Sequence, residues 1–220
     1  MGGLAYDIAH VLGGAMLLCS FLLLTQRRLG GVIWLLAVQG LLLAMAAAWQ
    51  GYSQGSVHLY ASAAIAVAAK AVAIPLALRE ATRRTGGGTG ADAGLPTMPA
   101  LLGGGAMVAL AILVALPASA GTSALMREDL AIALSVLLLG LLMMCTRRHA
   151  LAQAAGLLSM ENALMLAAVG AAGMPLVVEL SAAGLVLVVA ALAGLFGMRM
   201  REQVASLDTQ ALDAHRGDRH

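Results

Sequence analysis

The chain has 220 residues, of which 61% are hydrophobic, 11% charged and only 3% aromatic, and its formal net charge is +2. Soluble domains carry about 45–50% apolar and about 25% charged residues, so this composition excludes an ordinary soluble domain and points to an integral membrane protein. The small charge excess is no nucleic-acid signature, because the arginines flank apolar runs; no nucleic acid is expected as a partner.

A bilayer core is spanned by about 20 apolar residues in helical form, and the chain divides into seven such runs. We place them at 4–25, 30–49, 57–79, 98–119, 129–146, 150–172 and 177–198. The first stretch, MGGLAYDIAHVLGG, lacks a basic n-region and carries Asp7, so no cleavable signal peptide is expected. Asp7 and His10 open the first span, and Cys19 lies inside it. Cys19 and Cys145 are far apart in apolar runs and suggest neither a disulfide framework nor a metal spacing. Gln39, in the second span, is placed to hydrogen-bond across helices.

The third span, preceded by His58, carries the only lysine in the chain, Lys70, at its middle. Lys70 lies roughly 14 Å along a helix from Arg79. A charge at that depth costs about 2.5–3.5 kcal/mol on insertion scales, and such residues face a bundle interior or a hydrated cavity. Ala63, Ala66, Ala73 and Ala77 share its helical face, which would let a neighbouring helix approach closely. Pro75 has no N–H to give the carbonyl of Ala71, so a kink is expected there.

After the third span comes TRRTGGGTGADAGLPTMP, read as a flexible loop, and then the fourth span as a connector. The fifth and sixth spans are separated only by RRHA, a tight turn containing His149. The sixth holds Glu161 within GLLSMENALMLAA, roughly 20 Å along the helix from Arg148. Lys70 and Glu161 therefore sit at comparable, mid-membrane depth. They could pair and fix helix register, contact another subunit, or form steps of a proton path, since burial moves both groups toward reversible exchange. His58 and His149 are candidates for loading or releasing protons, and Gln39 and Glu179, the latter opening the seventh span, complete the proton-path candidates. The polar tail follows from 199 to 220.

Arginines orient the whole. Arg27 and Arg28 follow the first span; Arg79, Arg83 and Arg84 the third; Arg147 and Arg148 the fifth; Arg199 and Arg201 the seventh. Only Arg127 falls on the other side. Cytoplasmic loops carry the positive excess, so the N-terminus is expected outside and the C-terminus inside. Two three-helix units, 1–84 and 128–198, then run parallel, joined by a loop and fourth helix at 85–127. Their sequences echo at an offset of about 120 residues: TQRR at 25–28 against CTRR at 145–148, and YASAAIAVAA at 60–69 against ELSAAGLVLV at 179–188. Such duplication is common in membrane proteins. No phosphate cradle, metal-ligand spacing or paired nucleophile and base is present, and no cofactor or catalytic residue is expected on this chain.

Two stretches carry a family resemblance: SAAIAVAAKAVAIPLALR at 62–79 and RRHALAQAAGLLSMENALML at 147–166, the latter with Met160, Glu161 and Asn162 in a Met-Glu-Asn element. With them the chain resembles the hydrogenase-4 component E family, membrane subunits of formate-hydrogenlyase-type group 4 hydrogenases. The fifth to seventh spans are also similar to the K subunit of respiratory complex I and the C subunit of Mrp-type antiporters. That pattern places its first buried glutamate at the position of Leu158, whereas here the acid is Glu161, one turn further on. Its second glutamate has no acidic match in the seventh span, and Lys70 stands in the comparable place of the first unit.

The resemblance implies a non-catalytic subunit in the bacterial cytoplasmic (inner) membrane, within the membrane arm of a complex-I-like oxidoreductase. Its neighbours would be antiporter-like subunits and the quinone-subunit-like membrane subunit. A nickel–iron hydrogenase arm would act at a distance, and this chain would take part in redox-coupled proton or cation translocation. The alternatives are a structural scaffold of the same complex, or a subunit of a Mrp-type cation/proton antiporter.

Overall fold

The structure, a computed structural model, describes residues 2–84, 95–118 and 124–170. The expected seventh span at 177–198, Glu179, the polar tail and most of the loop after the third span lie outside these residues. Among the described residues all regular structure is helical, and six helical stretches are long and apolar enough to cross a membrane.

The elements are α1 (Gly2–Thr25), α2 (Leu29–Gln54), α3 (Val57–Ala66) running through a π-helical segment (Val67–Ala73) into α4 (Ile74–Arg84), α5 (Thr97–Ala118), α6 (Ala124–Thr146) and α7 (Ala150–Gly170). These match the first six runs read from the sequence, with three extensions, of which one is at the start of α6, at Ala124 rather than 129. α2 continues through Trp49 to Gln54, and the third span continues as helix past Arg79 to Arg84. α2 stops at Gly55, whose φ of 65° lies in the left-handed region that only glycine enters without a side-chain penalty. The N–H groups of Gly55 and Ser56 both return to the carbonyl of Gly51, and the chain reverses into α3.

α1, α2, α6 and α7 pack as a four-helix core, α1 against α2 and α6, α7 against α6 and α2. The third span lies on α2, and α5 lies on α6 and α1. Small residues set the closest approach. A Cβ added to Gly156 would stand 2.9 Å from the carbonyl oxygen of Gly140, and one added to Gly140 would stand 2.9 Å from that of Gly156. α6 and α7 therefore touch backbone to backbone, the geometry that replaces hydrophobic drive when the solvent is lipid.

Two apolar clusters fill the core. One gathers Cys19, Leu23, Leu35, Leu36, Leu139, Met143, Ala155 and Leu158 toward the arginine-bearing turns. The other gathers Leu12, Met16, Leu43, Ala46, Ala133, Met165 and Leu166 toward the opposite end. Buried positions recur at an offset of 120: Met16 and Val136, Cys19 and Leu139, Leu23 and Met143 on α1 and α6, then Val32 and Ala152, Leu35 and Ala155, Leu43 and Ala163 on α2 and α7.

The turn between α6 and α7 does structural work at α1. The last carbonyls of a helix have no partner within it. The Arg147 guanidinium, buried here, donates through Nη2 to the carbonyl oxygens of Leu23 at 3.2 Å, Leu24 at 2.8 Å and Gln26 at 2.5 Å. A cation at a helix C-terminus also opposes the negative end of its dipole. Gln153 holds the turn from its own side by donating to the Arg147 carbonyl at 2.8 Å.

A candidate site at the buried Lys70–Glu161 pair

Between the two apolar clusters lies a polar layer built from four helices. Ser20 of α1, Gln39 of α2, Lys70 of the π segment, and Ser159 and Asn162 of α7 are all buried. Lys70 Nζ lies 2.7 Å from each carboxylate oxygen of Glu161 and 3.0 Å from Oδ1 of Asn162. Asn162 Nδ2 donates to Gln39 Oε1 at 3.2 Å, and Gln39 Nε2 donates to the hydroxyls of Ser20 at 2.9 Å and Ser159 at 3.0 Å. Ser20 in turn donates to the carbonyl of Met16 at 2.9 Å.

The local sequence explains why Lys70 can reach this layer. Pro75 offers no N–H, so the regular α ladder cannot close across it. The N–H of Ile74 instead bonds the carbonyl of Ala69, five residues back, and that of Val67 is shared between Ala63 and Ala64. The expected kink is thus taken up as a π segment, a rare form frequent at functional sites. Its wider turn re-phases the helix. The buried stripe runs through Ala63, Ala66, Lys70, Ile74 and Leu78, while Ala73 and Ala77, expected on the Lys70 face, turn outward.

Close approach to α2 depends on Gly40. A Cβ there would lie 2.9 Å from both the carbonyl carbon and the Cβ of Lys70, and 3.0 Å from its carbonyl oxygen. The main chain of Lys70 rests directly on α2, and its side chain passes α2 to meet α7. Gln39, the residue before Gly40, then faces the bundle centre.

The two charges are not equally enclosed. The Lys70 side chain is 5% exposed and that of Glu161 15%. On α7, Glu161 lies in the stripe of Leu157 and Leu164, both exposed, whereas Ser159 and Asn162 point inward. The carboxylate therefore closes the outer edge of the layer. Burying two opposite charges is repaid only by close geometry and further hydrogen bonds, and this pair has both.

Of the residues singled out from the sequence, the structure joins Lys70, Glu161 and Gln39. His58 falls in the first turn of α3, roughly 18 Å of helix from Lys70. His149 opens α7, its Nδ1 accepting from the Leu151 N–H at 3.2 Å and its carbonyl accepting from Ala152 and Gln153. It lies roughly 18 Å of helix from Glu161. His10 meets Glu128 at 3.3 Å on an exposed edge. Ser20 and Ser159 escaped the reading of the sequence, since a lone serine in a leucine-rich run usually bonds back to its own helix. Asn162 carried a usable signal: it lies three residues from Ser159, and that spacing puts both on one face of a helix. Among the described residues no three His, Cys, Asp or Glu side chains gather as a metal would require.

No family model matches the chain. Among curated proteins it is similar to Uncharacterized protein Rv0085 of Mycobacterium tuberculosis, 29% identical over 208 residues that cover 90% of this chain and 91% of that one. No solved structure matches it.

Proposed function

We propose that the protein is a multi-pass subunit in the membrane arm of a complex-I-like, group 4 hydrogenase-type assembly, where the Lys70–Glu161 pair takes part in redox-coupled translocation of protons or cations. The observation that carries this reading is the pair itself, two oxygens at 2.7 Å from one ammonium in a π segment, set between two apolar clusters. An intramembrane charge pair with named partners is a functional hypothesis by default. When a neighbouring group changes charge, both members of so close a pair feel the change. Catalysis and metal centres would reside on other subunits, with antiporter-like and quinone-subunit-like membrane partners alongside.

The same reading includes a seventh span at 177–198, an outside N-terminus and an inside C-terminus in the bacterial cytoplasmic membrane, and descent from a duplicated three-helix unit. The recurrence of buried positions at an offset of 120 supports the duplication, and the arginine-bearing turns support the orientation.

One observation favours a scaffold instead: Lys70 has three acceptors within 3.0 Å, a fully satisfied arrangement that would serve as interhelical glue. Glu161→Gln and Lys70→Met separate the two. Translocation lost in an assembled complex supports transport; translocation retained in both variants supports the scaffold. Purifying the complex from its native membrane and assaying nickel, iron–sulfur absorbance and a hydrogenase large subunit distinguishes a hydrogenase arm from an antiporter complex without redox partners.

A further inference from the structure

The directions of the hydrogen bonds in the polar layer are forced from one end. An ammonium group only donates, so Asn162 must turn its oxygen to Lys70. Its nitrogen then faces Gln39 Oε1, which leaves Gln39 Nε2 to serve the two serine hydroxyls, and Ser20 passes its proton to the Met16 carbonyl. Every donor in this string points away from Lys70, and the string ends on backbone. Neither amide titrates, so the string holds the ammonium without carrying its proton onward.

Glu161 is held differently. Among the described residues Lys70 is the sole partner of its carboxylate, and Glu161 stands on the more open side, between the exposed Leu157 and Leu164. The pair thus has a tethered cation and a releasable anion.

We infer that Asn162 and Gln39 are positioning residues, which anchor the Lys70 ammonium to the bundle wall so that Glu161 is the member that takes up and releases the proton. On protonation the carboxylate becomes a neutral acid, its attraction to Lys70 falls, and the open side receives it. This rests on the transport reading of the pair, and it assigns the exchanging group and the side from which it is reached.

The test follows the infrared carbonyl band of the protonated Glu161 carboxyl, identified by its loss in Glu161→Gln, across pH in the full-length chain in lipid nanodiscs. Asn162→Leu and Gln39→Leu are expected to move the titration midpoint in the same sense, by about one to two pH units, the worth of a hydrogen bond to a charged group. The double variant should move it no further than Asn162→Leu, because the two act in series, and Asn162→Gln should restore part of the shift. Ser159→Ala, a milder cut at the far end of the string, should give a smaller shift of the same sense. Ser135→Ala removes a buried hydroxyl that, among the described residues, bonds only the Ala131 carbonyl, off the string, and should give none. Unchanged midpoints in all the string variants overturn the positioning role and leave the transport reading standing. A Glu161 band that never responds to pH overturns both. Midpoints that move while Glu161→Gln leaves translocation intact uphold the positioning role and remove transport.

Discussion

Gln39 and Ser159 stand 120 residues apart in the chain and 3.0 Å apart in space, amide nitrogen to hydroxyl oxygen. The same interval relates the buried positions of α1 to those of α6 and of α2 to those of α7. The two residues thus keep the same offset as those buried positions, on two hairpins that pack against each other through α2 and α7. What distinguishes the hairpins is chemical: beyond Ser159 the second continues into Glu161 and Asn162, where the first has Leu41 and Leu42.

Truncating either member of the charge pair leaves the other buried and uncompensated. Lys70→Met or Glu161→Gln alone is expected to destabilise the folded chain by about 3–5 kcal/mol, whereas the double variant should lose markedly less. A double-mutant cycle on detergent-solubilised protein, read by denaturant unfolding, measures the difference; additive losses would contradict a direct interaction.

Gly40 has no room for a side chain against the Lys70 backbone. Gly40→Ala should cost about 1–3 kcal/mol through forced separation of α2 and the π segment, and Gly40→Leu more. Gly105→Ala, where a Cβ would meet nothing within 4 Å, should be neutral or slightly stabilising. Thermal unfolding of the three variants checks the contrast.

Arg147 reaches three carbonyls through the single Nη2 at the tip of its guanidinium, which stands one heavy atom further from the backbone than a lysine ammonium would. Arg147→Lys keeps the positive charge and should still lower stability by about 1.5–3 kcal/mol, the worth of a hydrogen bond to a charged group. The adjacent Arg148 is exposed, and Arg148→Lys should change stability by less than about 0.5 kcal/mol. Parallel unfolding curves separate the two arginines.

The two cysteines should differ in access. Cys145 is exposed near the end of α6, while Cys19 is buried with its Sγ donating to the Leu35 carbonyl at 3.2 Å. A membrane-permeant maleimide should label Cys145 in the folded protein and Cys19 only after denaturation, with mass spectrometry assigning each site. Equal labelling rates would show that α1 and α2 part readily.

Much of this architecture was legible because lipid imposes simple rules. Apolar length located six described helices to within a few residues, and the uneven arginines marked the turns that the structure builds at 26–28 and 147–149. Depth along the helix put Lys70 and Glu161 at one level. Their pairing was not legible, since helix adjacency depends on packing that apolar runs do not encode; Lys70 meets α7 only because α2 thins at Gly40 to let it past. The π segment was half visible. Pro75 announced a broken ladder, but whether the break becomes a bend or a wider turn depends on the neighbour it must reach. The burial of Arg147 was hidden for a related reason: beside Arg148 it reads as an ordinary interfacial charge, and only the returning end of α1 makes it a cap.

That cap bears on how the protein is made. The carbonyls of Leu23, Leu24 and Gln26 emerge with the first span, but the guanidinium that satisfies them is translated more than a hundred residues later. Until the α6–α7 hairpin enters the membrane, the end of α1 must borrow water or lipid headgroups at the interface. Docking of the late hairpin then exchanges that provisional solvent for a fixed partner. Biogenesis of the core is therefore completed by its last described pair of helices, and a chain truncated before Arg147 leaves the nascent first hairpin open at its base.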